Sequence, residues 1–406
     1  MKKFVMYGAG NIGRGFIGQS FSDAGYQVGF VDINMEVINQ LNNDKCYPVH
    51  IVTGETNIEK EVKNVYGING NDIELVSNEI ASCDIMATAI GVNVLKFIAK
   101  PIALGIKKRA EKSGKTLDII VCENMIGADF YLKGLILKEI PELTDFVENK
   151  VGFVEPSIGR MVPVMTDEKK AGNALRVYVE SYNVLPVDKD AFKGEIPKEV
   201  INLYPFSPFN LFIERKLFMH NMSHALCAYL GFLRNYEFIY QSVEDFDIEF
   251  TAYKALMASA MAISKENGTD IKMLIDHADN LLYRFKNHAL ADTVARVGKD
   301  TKRKLGANDR LIGALKLCEK FDIECSYICI GIGAGMLFVP DGDDSSKELS
   351  AFAKANGVKE TLKVYSEYEG KYVSLIETIY KDLSNGVKLD AILNKVNEIN
   401  NKTIRV

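Results

Sequence analysis

Phe4-Val-Met-Tyr7-Gly8-Ala-Gly10-Asn-Ile-Gly13-Arg-Gly-Phe-Ile-Gly18 decides how the first half of the chain is read. Four apolar residues stop at a run of glycines, and Gln19 to Ala24 continues as a helix, so G-x-G-x-x-G stands between a strand and a helix. In that setting Gly8 permits the tight turn, Gly10 lets the backbone approach a pyrophosphate, and Gly13 lets the helix pack on the strand. The pyrophosphate then lies against free N–H groups at the helix start, over Asn11, Ile12, Gly13 and Arg14. The next apolar run, Gln27-Val-Gly-Phe-Val31, ends in Asp32, 22 residues after Gly10. A carboxylate there binds ribose hydroxyls and repels a 2′-phosphate, which favours NAD over NADP. The competing reading is a tight turn that holds no ligand.

Working outward, Cys83-Asp-Ile-Met-Ala-Thr-Ala-Ile-Gly91 and Leu117-Asp-Ile-Ile-Val-Cys-Glu-Asn124 read as buried parallel strands with helical stretches between them. Val151 to Pro163 and Ala174 to Tyr182 read as further strands. The fold class is α/β, a Rossmann-type dinucleotide-binding domain followed by a mostly α-helical domain. Asn124 falls at the carboxyl edge of the sheet, where open parallel sheets bind ligands, and is a candidate contact for substrate or nicotinamide. Its competing role is an Asn that caps the next helix. Between Val187 and Pro208 the chain is rich in Lys, Asp, Gly and Pro, and the domain boundary is placed there, giving 1–195 and 196–406. Beyond it helical periodicity dominates: Asn210 to Leu230, Asp247 to Glu266, Ile271 to Phe285, Asp309 to Lys320, Ser346 to Ala355 and Lys371 to Asn385. A second glycine run, Gly331-Ile-Gly333-Ala-Gly335, lacks a surrounding βαβ unit, so close helix packing is its expected cause.

A chain of 406 residues exceeds what one core usually supports, so two domains are the default. A net charge of −5 argues against a nucleic-acid surface and points to a small-molecule partner. The seven cysteines form no C-x-x-C pair and have no histidine at metal-ligand spacing, which favours reduced thiols and a cytoplasmic location. The apolar run before Gly8 is too short for a signal peptide, and no stretch is long enough for a membrane span.

Two tracts in the second half invite chemistry. In Lys216-Leu-Phe-Met-His220-Asn221-Met-Ser-His224, a regular helix puts Lys216, His220 and His224 within roughly an 80° arc, with Asn221 about 60° further round. The other directions are apolar, and an ammonium in apolar surroundings is pushed toward the neutral amine that a general base needs. The alternative is a lysine that reaches back to water beside Glu214 and Arg215. In the second tract, Arg296, Lys299, Lys302, Arg303, Lys304 and Arg310 lie within fifteen positions of an acidic chain. They would suit an anionic substrate group, or form an ordinary solvated charge run.

Taken together, the glycine opener, Cys122-Glu-Asn-Met125, Gly152-Phe-Val154, Glu214-Arg-Lys-Leu-Phe218 with Asn221 and His224, Arg296-Val-Gly298, Arg303-Lys-Leu305 and Asn308-Asp-Arg-Leu-Ile312 resemble the polyol-specific long-chain dehydrogenase family. The resemblance implies an oxidoreductase that uses NAD on a polyol or sugar phosphate, with no metal. It implies Lys216 as general acid–base, Asn221 and Asn124 as donors to the reacting oxygen, and His224 as an orienting group. Arg296 and Lys304 would contact the polyol or its anion, with Arg160 as a further substrate contact; Arg303 is added on its charge alone, not on the resemblance. A monomer or small homo-oligomer is expected. The chain departs from the family at Gly159, where relatives carry Asp, which leaves a hexonate or an unphosphorylated polyol as alternative substrates. A nucleotide-binding sensor without turnover is the alternative outside enzymes.

Overall fold

The structure is a computed structural model that describes residues 1–163 and 165–404. Its contacts divide the chain into Met1–Phe212 and Ile213–Val406. In the first unit the strands are β1 (Lys3–Tyr7), β2 (Gln27–Asp32), β3 (Cys46–Val52), β4 (Asn57–Lys63), β5 (Val65–Asn69), β6 (Ile85–Thr88), β7 (Leu117–Val121), β8 (Val151–Val154), β9 (Val177–Glu180), β10 (Leu185–Asp188) and β11 (Leu203–Phe206).

The main sheet runs β5-β2-β1-β6-β7-β8, parallel throughout. The strand order reverses beside β1, and at such a switch point the loops leave a crevice at the carboxyl edge. Alternation along each strand feeds both faces. Phe4, Met6, Val28 and Phe30 enter one core and Val5, Tyr7, Val31 and Met86 the other, which is why these strands read as continuous apolar runs.

Three sequence expectations change. Val151 to Pro163 is a strand only as far as Val154, and the segment beyond makes a single bridge, Pro156 to Val187. The strand expected over Ala174 to Tyr182 is shorter, and it joins β3 and β4 in a separate small sheet rather than the main one. The contact boundary also falls after the expected 195/196. The Lys-, Gly- and Pro-rich stretch is the crossover between paired β10 and β11, and it is tied back to the main sheet where the buried Asp118 carboxylate accepts the N–H groups of Lys193 (2.7 Å) and Gly194 (3.0 Å).

The second unit is helical in its described residues. Helices Phe246–Asn267, Ile271–Phe285, Asp344–Asn356 and Val373–Ser384 lie where periodicity places them, and Ile312–Lys320 starts three residues late. Ser326–Gly335 is buried along its whole length, so it carries no amphipathic period from which to be read. Its glycines are packing sites: a Cβ on Gly331 would meet Leu311 and Leu226 at 3.0 and 3.1 Å, and one on Gly335 would meet the Tyr229 ring at 2.9 Å. No helix among the described residues is long and apolar enough to cross a membrane.

Two glycine replacements should therefore have opposite signs. Gly331→Val overpacks a closed contact and is expected to cost about 1–3 kcal/mol. Gly134→Ala, on the exposed face of helix Ala128–Glu139 with open space at its Cβ, should add roughly 0.4–1 kcal/mol. Urea midpoints of the two variants against the parent check both signs.

Candidate active site

In the first unit the glycines occupy three different environments. Gly8 has φ +107°, and a Cβ there would press on the Ala89 carbonyl. A Cβ on Gly13 would strike the carbonyl of Gly8, so strand and helix approach as only glycine allows. Gly10 is exposed with nothing within 4 Å of a built Cβ, which leaves room for a ligand against its backbone. Asp32, at the end of β2, accepts from the Ala9 N–H with Oδ2 (2.8 Å) and from the Asn34 N–H with Oδ1 (2.9 Å). Each oxygen keeps a lone-pair direction for a hydroxyl. Beside them lies a cavity of about 580 Å³, lined by Gly8, Gly10, Asp32, Ile33, Ile90 and Phe97 among others. Ile33 is 71% and Phe97 68% exposed, so apolar walls stand next to a carboxylate, as a nucleoside requires.

The helix that begins at Asn11 opens into a π-helical turn over Gly13–Gly18, with i→i+5 hydrogen bonding, before Gln19–Asp23. Side chains serve its carbonyls. Tyr47 Oη donates to the Arg14 carbonyl (2.7 Å), Arg160 Nη1 to that of Gly15 (3.0 Å) and Ser20 Oγ to that of Phe16 (2.8 Å). This corrects two expected roles. Arg160 is not placed as a substrate contact: it is 4% exposed, lies over the Phe16 ring, and spends further donors on Gln19 Oε1 (3.0 Å) and the Glu180 carbonyl (3.0 Å). Burial lowers its pKa to about 10. Arg14 also turns inward, donating to the Ala9, Leu175 and Ala174 carbonyls, and its own N–H is held by Gly10 O at 2.9 Å. Of the expected cofactor contacts, Asn11 and Ile12 remain half-buried at the helix start beside Gly10.

Asn124 lies exposed in the turn after β7. It caps nothing: the residue before helix Ala128–Glu139 is Gly127, with φ +71°. Its neighbour Glu123 is buried and accepts the backbone N–H groups of Ile90 (3.0 Å) and Gly91 (2.8 Å).

In the second unit, Lys216, Asn221 and His224 lie on the helical run 210–233, but that run is not regular. Arg215–Asn221 is a second π-helical turn, between Asn210–Glu214 and Met222–Leu233. On a regular helix Lys216 and Asn221 would be about 140° apart. In an i→i+5 register the residue five ahead stands one turn on, so Asn221 comes round to the side of Lys216. All three residues are half-buried. The ring of His224 stacks on Phe285 (centroids 4.6 Å, 12°), and its Nε2 is 3.5 Å from Asp292 Oδ2 without a hydrogen bond. Burial lowers the His224 pKa to about 4, against the opposing pull of Asp292, so the ring is neutral at pH 7. His220 and His277 are pushed well below the usual 6.5, first by burial and then by Arg284 and Arg215 respectively.

The basic tract is largely compensated. Arg296 Nε holds Asp292 Oδ1 (2.7 Å), Arg303 pairs with Asp300 (2.7 Å) and Asp309 (3.3 Å), Lys302 with Glu348 (2.8 Å) and Arg310 with Asp309 (2.8 Å). Arg303 is thus engaged by two carboxylates rather than presented to a ligand, and Arg296 is committed to Asp292. Lys304 differs. It is 6% exposed and donates to the Val297 carbonyl, and its pKa falls to about 7 through burial and then the nearby Arg310 and Arg303. Asp292, which holds Arg296 and lies 3.5 Å from His224, was given no role in the sequence reading, although its place four residues before Arg296 was a local signal. Among the described residues no group of three or more His, Cys, Asp or Glu could hold a metal ion.

Residues 2–199 match the Mannitol dehydrogenase Rossmann domain family and residues 209–399 the Mannitol dehydrogenase C-terminal domain family. Mannitol-1-phosphate 5-dehydrogenase of Caldanaerobacter subterraneus subsp. tengcongensis is 36% identical over 388 residues, which covers 94% of this chain and 99% of that protein. The protein of the same name from Clostridium acetobutylicum is 35% identical over 384 residues, 94% of this chain and 99% of its own. Among solved structures, substrate-free D-sorbitol dehydrogenase superposes with a TM-score of 0.79 at 15% identity, over 96% of this chain and 94% of that one. Pseudomonas fluorescens mannitol 2-dehydrogenase, in a ternary complex with NAD and D-mannitol, superposes with a TM-score of 0.76 at 15% identity, over 98% and 94%.

The three depressed histidines predict an acid dependence of stability. Their folded pKa values lie below the unfolded 6.5, so as pH falls the unfolded chain takes up protons that the folded chain refuses, and stability drops from about pH 7 toward pH 4. The urea midpoint should fall between pH 7 and 5, above the range where most carboxylates titrate. A midpoint that stays flat over that interval contradicts the assignment.

Proposed function

The chain belongs to the mannitol dehydrogenase family, and on that premise we propose that it interconverts D-mannitol 1-phosphate and D-fructose 6-phosphate with NAD(H). The observation that carries the proposal is the π-helical turn that brings Asn221 round to the side of Lys216. Two long relatives that share most of this chain's length carry the phosphate-specific name.

The first unit offers what a dinucleotide needs. Gly10 leaves its backbone open, the N–H groups of Asn11 and Ile12 stand at a helix start, and Asp32 accepts ribose hydroxyls and opposes a 2′-phosphate. Bound there, NAD supplies the hydride acceptor. Lys216, as the neutral amine, takes the proton from the substrate hydroxyl and returns it when the ketose is reduced. Asn221 and Asn124 each donate an amide N–H to the oxygen as it gains negative charge, which stabilises that charge only where it develops. His224 is neutral, so it orients a hydroxyl as a hydrogen-bonding group without adding charge. Lysine and two amides complete the acid–base and polarising roles, so the scheme requires no metal. Lys304 is the cation that supports the phosphate, because Arg310 and Arg303 already depress it and an incoming anion relieves that repulsion.

A second reading keeps the chemistry and moves it to an unphosphorylated polyol or a hexonate. It is favoured by the ion pairs that occupy Arg296 and Arg303.

Lys216→Ala is expected to lower kcat by about 10² to 10⁴ at neutral pH with the NADH affinity unchanged. A loss of only a few-fold would remove Lys216 from the acid–base role. In a separate assay, NADH oxidation is followed with fructose 6-phosphate, fructose and fructuronate at equal concentration. The expected result is a kcat/KM for the phosphate at least about 10²-fold above the others, the scale of a lost charge-assisted contact. Preference for fructuronate or fructose would move the chain to the second reading.

A further inference from the structure

Glu123 is a buried carboxylate at the carboxyl edge of the main sheet that the mechanism above does not use. Where β7 ends, the chain reverses in a three-residue turn closed by the Glu123 N–H donating to the Val121 carbonyl at 2.9 Å. The Cys122 N–H donates to the Thr88 carbonyl at 2.9 Å, so the reversal stays in register with the end of β6. This geometry aims the carboxylate at the loop leaving β6, where Oε1 accepts from Ile90 (3.0 Å) and Oε2 from Gly91 (2.8 Å). Those N–H groups open the helical run 92–112, whose first donors lack partners of their own and whose dipole favours a negative charge.

The loop so held is a wall of the nucleotide cavity. Ala89 and Ile90 line it together with Gly8, Gly10 and Asp32. The Ala89 carbonyl and the Ile90 Cγ2 occupy the space beside Gly8 that a side chain there would need. The residue after Glu123 is Asn124, exposed in the same turn.

We propose that Glu123 is a positioning residue for the reaction: its carboxylate fixes loop 89–91 against Gly8, which shapes the dinucleotide cavity, and fixes the turn that carries Asn124. The inference rests on the dinucleotide reading of the first unit. A hydrophobic brace would hold the same loop against compression, but a carboxylate with an acceptor on each oxygen also satisfies two part-buried N–H groups at once.

Glu123→Gln tests it. The amide keeps the size and one acceptor, but turns an N–H₂ toward one of the two backbone donors and leaves that donor unsatisfied. The Kd for NADH, read from the rise in NADH fluorescence, should increase about tenfold, and KM for NADH should follow, the scale expected for one lost charge-assisted hydrogen bond. Glu123→Asp keeps the carboxylate and should recover part of that loss. A purely structural brace would lower the urea midpoint while the folded variants bind NADH within twofold of the parent, and that result overturns the proposal. Should neither variant fold, amide exchange in the parent decides it. The Ile90 and Gly91 N–H groups should slow further when NADH is added, and unchanged exchange overturns the proposal. A parent that binds no NADH overturns the dinucleotide reading, and the role of Glu123 with it.

Discussion

A helical carbonyl that loses its i+4 partner has to find another donor, and in each unit the residues proposed for function lie beside a turn with that requirement. The chain widens to an i→i+5 turn at Gly13–Gly18 and again at Arg215–Asn221. In each case a serine just past the turn reaches back. Ser20 Oγ donates to the Phe16 carbonyl at 2.8 Å, and Ser223 Oγ donates to the Met219 carbonyl at 2.7 Å. The first turn needs more, because Tyr47 and Arg160 also serve its carbonyls, and they tie the small β3–β4–β9 sheet to the glycine helix. Gly15 allows that approach, since a Cβ there would lie 2.8 Å from Val179. The widened turns are thus held from outside the helix, and the i→i+5 register changes side-chain direction, which is the basis for proposing that Asn221 acts on the same side as Lys216.

Burial governs the electrostatics. His220, His224 and His277 are kept neutral first by loss of water, with neighbouring cations adding to it and only Asp292 opposing it at His224, so the three imidazoles contribute no charge at neutral pH. Stacking of His224 on Phe285 fixes one ring plane without a proton. The geometry therefore favours hydrogen bonding over charge at these positions.

How far the site could be read from sequence depended on the range of the interaction. The glycine turn and Asp32 were legible because each rests on backbone geometry within thirty residues, and the structure shows the expected close contacts at Gly8 and Gly13. The second glycine run was legible by the absence of strands around it. Lys216, Asn221 and His224 were legible as a spacing, but not as a surface, since a 3.6-residue period cannot announce a π-helical turn. Arg160 was misread because its partners, Gly15, Gln19 and Glu180, are 20 or more residues away, so a lone arginine beside a family motif looked like a substrate contact. Strand β9 was legible as a strand, but its place beside β3 in a separate sheet was not, because alternation reports burial on one face and says nothing of which strand is its neighbour.

The basic tract shows why counting cations misleads. Six lie between Arg296 and Arg310, yet Asp292, Asp300, Asp309 and Glu348 engage four of them, so an anion that approached Arg303 would have to displace carboxylates already within 3.3 Å. Such an exchange of one anion for another gains little, and surface pairs of this kind are worth roughly 0–1 kcal/mol to begin with. Lys304 is in a different position. Its ammonium is buried against a carbonyl, Val297 O, and two guanidinium groups stand close enough to depress it. A site where cations already repel one another is where an added negative charge is most favourable, because it relieves the repulsion as well as forming its own contacts. The shift on one buried lysine, rather than the density of positive residues along the chain, is therefore the reason Lys304 is the anion contact proposed for this unit.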